Sequence, residues 1–422
     1  MNPPSIDNQV ALLMQGTEYG DPTLQAAMAA ELKERLATAT ASGRRLRVYA
    51  GFDPRTSDLH LGHTIPMRKM RQFQELGHEV IFVVGSFTSL IGDPSDQDKL
   101  RPRLTPDQVQ ANAATYAEQA YKILDRADTR IEYNHSWLSR LTLQDVIPLA
   151  ANFTVQQFLT RETFRKRWES DDPLYLHETF YALAQAYDAY HLRADVQIGG
   201  TDQLFNILTA GRKLMEALGV PPNIGIIMGL LPGTDGVLKM SKSLGNHIPL
   251  NATPEDMYGK VMSVPDAAMP AFFRLVTRWQ PAEVAAALAQ IESGVLHPRD
   301  AKMRLAREIV GIYYGETAME AAEEYFRRVY QEKKTPQDLV PLDLAPGWSL
   351  LELVASSGAV KSRSEARRLI EQKGVRIDGE VWDDPHANTD AIGSSTLQIG
   401  RTHFYRLRPK SEPGPSAGTG LD

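Results

Sequence analysis

Leu46–His63 reads LRVYAGFDPRTSDLHLGH. Its first seven residues form an apolar run rich in aromatic and β-branched side chains, the pattern of a buried strand. Gly51 and Pro54 shape a turn, and a helix is expected after Asp58, with His60 and His63 at i and i+3 on one face. The pattern then repeats along the chain. EVIFVVG, RIEYN, ADVQIGG and IGIIMG read as further strands of a buried sheet. Between them, TPDQVQANAATYAEQAYKILDRA and TDQLFNILTAGRKLMEALG have helical periodicity, each opening on a Thr N-cap with an Asp in its first turn. Strands alternating with helices predict an α/β fold with a doubly wound, Rossmann-like, mostly parallel sheet. Ligands of such sheets bind beyond the carboxyl ends of the strands, where YAGFDP, IGDPS and IGGTDQ all fall.

Outward from this sheet, the sequence predicts five regions. Residues 1–250 form the Rossmann-like domain with an N-terminal helical segment, and 251–333 an α-helical domain. Residues 334–346, Pro-rich and without periodicity, are expected to be a linker. A small α+β module over 347–410 follows, and the tail 411–422, almost without apolar residues, is expected to be disordered.

Composition narrows the chemistry. The 422 residues include no cysteine, which excludes disulfides, thiolate catalysis and cysteine-ligated zinc. The most apolar run, VIFVVGSFTSLIG, is too short to span a bilayer, and the N-terminus lacks a secretory pattern, so a cytoplasmic location is expected. A net charge of −6 argues against a surface coated with nucleic-acid contacts. Yet the C-terminal stretch 361–410 is net positive, with Arg363, Arg367 and Arg368 on one predicted helix.

The pair His60/His63 has three readings from spacing alone: a metal site, two helix-surface histidines, or an anion site at a helix start. In the third, Gly62 leaves room for a flat adenine while the imidazoles reach phosphate. A second stretch bears on the choice. Val237–Asn246, VLKMSKSLGN, sets Lys239, Ser241, Lys242 and Ser243 in a short loop, with Gly233, Gly236 and Gly245 around it. HLGH near the N-terminus and KMSKS after the last strand are together the two signatures of class I aminoacyl-tRNA synthetases. A third, YALAQAYD, sets Tyr181, Gln185 and Asp188 at i, i+4 and i+7 of a helix. With YAGFDP and GGTDQ, this order closely resembles the tyrosyl-tRNA synthetase family of the bacterial type, from about Val48 to Arg408.

That resemblance implies a tyrosine–tRNA ligase using ATP with Mg²⁺, acting on L-tyrosine and tRNA(Tyr), homodimeric and not membrane-bound. It implies an ATP clamp of His60, Gly62 and His63 with Lys239, Ser241, Lys242 and Ser243. Gly51 leaves space for the nucleotide, Asp53 lies near the adenylate, and Gly200 and Asp202 hold the ribose. In the same family Asp188 and Tyr49 receive the substrate hydroxyl, while Tyr181, Gln185 and Asp93 meet its α-amino group. Gln203 holds substrate or adenylate oxygens, and Asn134 and Trp137 form the outer wall. No protein metal site is implied. The segment 251–333 is expected near the anticodon stem, and the C-terminal module resembles the αL-type RNA-binding motif, with its arginines on phosphate. Arg55 stands where many relatives have threonine, and Lys99 and Arg101 are candidate pyrophosphate contacts. Two rivals stay open at this stage. One is the tryptophan enzyme, which shares the catalytic fold; the other is a catalytically inactive RNA-binding relative.

Overall fold

Five strands form one sheet: β1 (Arg47–Phe52), β2 (Glu79–Val84), β3 (Thr129–Tyr133), β4 (Val196–Gly200) and β5 (Ile224–Met228). The computed structural model describes residues 4–54, 59–95, 105–332, 339–360, 362–400 and 403–409. Arg55, Asp58, Lys99 and Arg101 lie outside them. The order is β3-β2-β1-β4-β5, and every pairing is parallel. Ile81 and Val83 of β2 pack with Tyr49, Ala189 and Leu192, while the alternate residues Val80, Phe82 and Val84 are equally buried. Both faces are therefore covered, which is why these strands read as continuous apolar runs rather than alternating ones. RIEYN departs from that reading: as edge strand β3 it is only partly buried.

The sheet reverses its order between β1 and β4. These two strands pair only at Val48↔Val196 and Tyr49↔Gln197, whereas β1 stays in register with β2 from Arg47↔Glu79 to Phe52↔Val84. The carboxyl ends of β1 and β4 thus part from each other, opening a crevice at the topological switch point.

Two local predictions are corrected. The helix after β1 spans Leu61–Glu75, so His60 is its N-cap rather than a residue within it. After β4, TDQLFNILTAG is not a regular α-helix capped by Thr201. It is a 3₁₀ turn, Thr201–Gln203, then a widened π turn, Phe205–Gly211, before the α-helix Arg212–Ala217. Here the chain presses on the sheet: a Cβ on Gly225 would lie 2.4 Å from Leu208.

Helices then follow one another: Pro254–Ser263, Met269–Val276, Pro281–Glu292, Pro298–Tyr314 and Glu316–Phe326. Several begin with proline at the first turn, where its missing N–H costs nothing. By contacts the chain divides into two compact units, 1–320 and 321–422.

The second unit holds a mixed sheet of β6 (Val340–Leu344), β7 (Val375–Ile377), β8 (Glu380–Val381), β9 (Thr396–Ile399) and β10 (His403–Pro409), in the order β6-β10-β9-β7-β8. Helices Leu350–Ser356 and Arg363–Glu371 share its core through Leu350, Leu353, Ala366 and Ile370. The stretch 334–346, expected as a linker, contains β6, which runs parallel to β10. Val340, Leu342 and Leu344 alternate as a strand requires, and Pro341 is tolerated because β6 is an edge. Between β7 and β8 the tight turn is Asp378–Gly379, both at positive φ (48° and 88°), as a two-residue hairpin demands. No helix among the described residues is long and apolar enough to cross a membrane.

Candidate active site

The helix start after β1 is built by its own histidines. The His60 Nδ1 accepts from the Gly62 N–H at 3.2 Å, and the His63 Nδ1 accepts from the His60 N–H at 3.2 Å. This is a reciprocal capping box in which imidazoles replace the usual hydroxyl and carboxylate. Gly62 eases it: a Cβ there would sit 3.0 Å from the His60 ring, tight enough that the ring would have to shift. Burial is the main cause that pulls His60 down to about 2 and His63 to about 4, helped by Lys239 and by a third ring, His247. Both imidazoles are therefore neutral at pH 7. With each Nδ1 accepting, the proton resides on Nε2, leaving a neutral donor for an incoming oxygen.

The KMSKS stretch is tied physically to this turn. Leu61 N–H donates to Ile248 O at 3.0 Å, and Leu250 N–H to Leu59 O at 2.9 Å. At the other side of the loop, Met240 is buried and its N–H donates to Leu231 O at 2.9 Å. Lys239 reaches back to the end of β4, where its Nζ lies 3.1 Å from Asp202 Oδ2. The Ser241 and Ser243 hydroxyls are 2.9 Å apart, and Lys242 is exposed. Asn246 holds the stem: its Oδ1 accepts from Ser241 N–H at 2.8 Å and its Nδ2 donates to Asp235. Gly233 makes that seat possible, since a Cβ would fall 2.2 Å from the Asn246 amide.

Between these signatures in sequence, the helix Leu176–Leu192 carries Tyr181 and Asp188 buried and Gln185 half-buried. Tyr181 OH donates to Asp53 Oδ2 at 3.2 Å, and Thr88 Oγ1 donates to Asp53 Oδ1 at 2.7 Å. Gln203 Nε2 donates to Asp93 Oδ2 at 2.7 Å. Gly51 is the last residue but one of β1, with open space where a Cβ would stand, and Gly200 ends β4.

Asp188 is buried as well. Both carboxylate oxygens already have donors, Trp137 Nε1 at 2.7 Å and Asn134 Nδ2 at 3.2 Å. Burial nonetheless pushes it up to about 7, against the lowering effect of those two bonds. Asn134 and Trp137, expected at the outer wall, are instead buried partners of the carboxylate. Tyr49 is also fully buried, and its hydroxyl donates to the Gln185 carbonyl at 3.4 Å. No side chain in the sequence signatures announces Asn206, which bonds to both Gln185 and Gln203. Its only sequence signal is a polar residue within an apolar helical run.

Residues 41–331 match the family model for class I tRNA synthetases (W and Y), and residues 349–388 match the S4 domain. The first covers both tryptophan and tyrosine enzymes, so relatives decide between them. The chain is 46% identical over 379 residues to the tyrosine–tRNA ligase of Moorella thermoacetica, covering 89% of this chain and 91% of that protein. With that of Geobacter sulfurreducens it shares 42% over 406 residues, 96% and 99% of the two chains. The chain belongs to the tyrosyl-tRNA synthetase family. Among solved structures, the C-terminally truncated mitochondrial tyrosyl-tRNA synthetase of Aspergillus nidulans superposes with a TM-score of 0.60 at 22% identity. It covers 77% of this chain and 94% of that one, and it speaks to fold alone.

Proposed function

We propose that the crevice binds L-tyrosine with its phenol at Asp188 and its ammonium beside Asp93, Tyr181 and Gln185, under an ATP held by the HLGH and KMSKS segments. The observation that carries this reading is the buried Asp188 carboxylate with two neutral donors and lone pairs left to accept a third. An indole offers its N–H at a different reach, and phenylalanine offers nothing, leaving a buried acceptor unpaired at a cost of about 1–3 kcal/mol.

The reaction is tyrosine–tRNA ligation in two steps. The substrate carboxylate, ionised at neutral pH, attacks the α-phosphorus of ATP in line. An O–P bond forms, the α–β bridge breaks and pyrophosphate leaves. Protein groups work by position and charge: His60 and His63 donate through Nε2 to phosphate, while Lys239 and Lys242 balance charge that grows on the leaving group. Ser241 and Ser243 add hydroxyl donors, Gln203 orients the adenylate, and Asp202 with Gly200 and Gly51 borders the ribose. The Lys239–Asp202 ion pair then exchanges for contacts with nucleotide. In the second step a ribose hydroxyl of the terminal adenosine attacks the tyrosyl carbonyl, forming the ester and releasing AMP. Mg²⁺, which the family resemblance implies, would arrive bound to the ATP phosphates and would offset charge on the departing pyrophosphate.

The proposal extends to partners. The helix Arg363–Glu371 exposes Arg363, Arg367 and Arg368, which suit RNA phosphates, and the segment 251–333 suits the anticodon stem. Leu143, Ile147, Val155, Trp168 and Leu176 are each more than 60% exposed on neighbouring helices, an apolar surface that a homodimer would cover. A cytoplasmic setting follows from the substrates. Pyrophosphate–ATP exchange with each amino acid in turn tests the central reading: tyrosine alone drives it, and exchange driven by tryptophan or by none overturns it.

A further inference from the structure

Behind the proposed amino-group end of the crevice lies a second, buried polar layer. Asn206, fully buried on the widened turn after β4, has its Nδ2 2.9 Å from Gln203 Oε1, 3.1 Å from Gln185 Oε1 and 3.2 Å from Ser95 Oγ. Its Oδ1 is buried without a partner. Ser95 in turn accepts from Arg161 Nη2 at 2.7 Å, and its own N–H donates to Asp93 Oδ1 at 2.9 Å. Arg161 is 6% exposed, with the rings of Phe164 and Phe205 at 4.6 and 5.3 Å from its guanidinium, and its Nη1 is buried and unpartnered. Two orphaned atoms in one buried cluster are costly, and an apolar side chain of similar size would avoid the cost.

What the cluster does is fix orientation. A glutamine amide can present either end to a ligand, and only its oxygen can accept from an ammonium. Asn206 donates to the oxygens of both Gln185 and Gln203, which sets the facing of each and leaves each a free lone pair. Gln203 then has only its Nε2 for Asp93, and Ser95 holds the other Asp93 oxygen. Arg161 bonds the Ser95 hydroxyl while the Ser95 backbone N–H bonds Asp93, so the carboxylate is aimed by a neutral donor rather than spent in an ion pair with Arg161. We infer that Asn206, braced by Arg161 through Ser95, is a positioning residue that sets the acceptors recognising the substrate's α-ammonium. This deepens the proposed tyrosine reading and rests on it.

The test compares two ligands that differ only at that group, L-tyrosine and 3-(4-hydroxyphenyl)propanoic acid, by calorimetry on the full chain. Asn206→Leu keeps bulk and removes the donor; Ser95→Ala removes the hydroxyl at the other side of the brace and serves if the first variant does not fold. Both variants are expected to weaken tyrosine about tenfold, while the deamino acid stays within about twofold. Equal loss on both ligands, or no loss on tyrosine, overturns the inference. Asp93→Asn separates the two levels. If it too weakens both ligands equally, the amino-group reading of the pocket itself fails. If Asp93→Asn is selective for tyrosine and the other two variants are not, only the role of Asn206 and Ser95 fails.

Discussion

Asp188 concentrates the opposing effects at the scale of one residue. Burial raises it to about 7, while Trp137 and Asn134 pull it down. Without them the pKa would rise further, and more of the group would be protonated at neutral pH. On the proposed reading, tyrosine activation needs the ionised form, so kcat/KM for tyrosine should fall as pH drops through about 7. Trp137→Phe removes a donor to the charged form and should raise the Asp188 pKa further. The acid limb of the pH profile then moves to higher pH; a limb that stays in place would show that another group controls it. Asp188→Ala carries the companion test, since it should narrow the gap between tyrosine and phenylalanine, and an unchanged ratio would take Asp188 out of the hydroxyl site.

At the scale of elements, the two signature segments behave differently on acidification and on mutation. His60 and His63 have pKa values depressed below their unfolded value near 6.5. Their contribution to stability is present above that value and is lost as pH falls toward 4, because the unfolded chain takes up protons that the capping box refuses. Asp188 acts with the opposite sign over the same range, since its folded pKa is raised. The difference between variants isolates the box: in urea melts at pH 7.5, 6 and 5, His60→Asn/His63→Asn should lose less stability on acidification than the parent chain. Parallel slopes would mean the rings are not buried neutral. In the loop, Lys242→Ala should leave tyrosine affinity within about twofold and slow adenylate formation by about 10²-fold or more. Equal loss of both would make the loop structural.

The same elements show what was legible beforehand. HLGH and KMSKS were readable because their chemistry is local: a helix start, a lysine pair, glycines in a turn. YALAQAYD was readable because three polar residues at helical spacing among alanines and leucines have one face to share. The bonds of Asn134 and Trp137 to Asp188, and of Asn206 and Arg161 to Ser95, were not recognisable, because the partners come from segments far apart in sequence. The π turn escaped because its period is set by how closely the chain approaches β4 and β5, which no helical periodicity reports. Strand β6 escaped because five residues with a proline look like a linker until β10 pairs with them.

At the scale of the whole chain, the two compact units suggest a division of labour that kinetics can separate. Everything proposed for tyrosine and ATP lies within residues 1–320, whereas the exposed Arg363, Arg367 and Arg368 lie within 321–422. These arginines are far from every group in the proposed crevice along the chain, and Arg363 spends part of its charge on Glu352 at 3.3 Å. Phosphate contacts of this kind add affinity that falls with salt and carry no base sequence. Replacing all three by alanine should therefore leave tyrosine-dependent pyrophosphate exchange unchanged while raising KM for tRNA in charging. The defect should shrink as salt rises, because the parent chain loses the same contacts to screening. If charging stays intact at low salt, the helix Arg363–Glu371 is not the RNA contact; if exchange falls with it, the two units are not functionally separable.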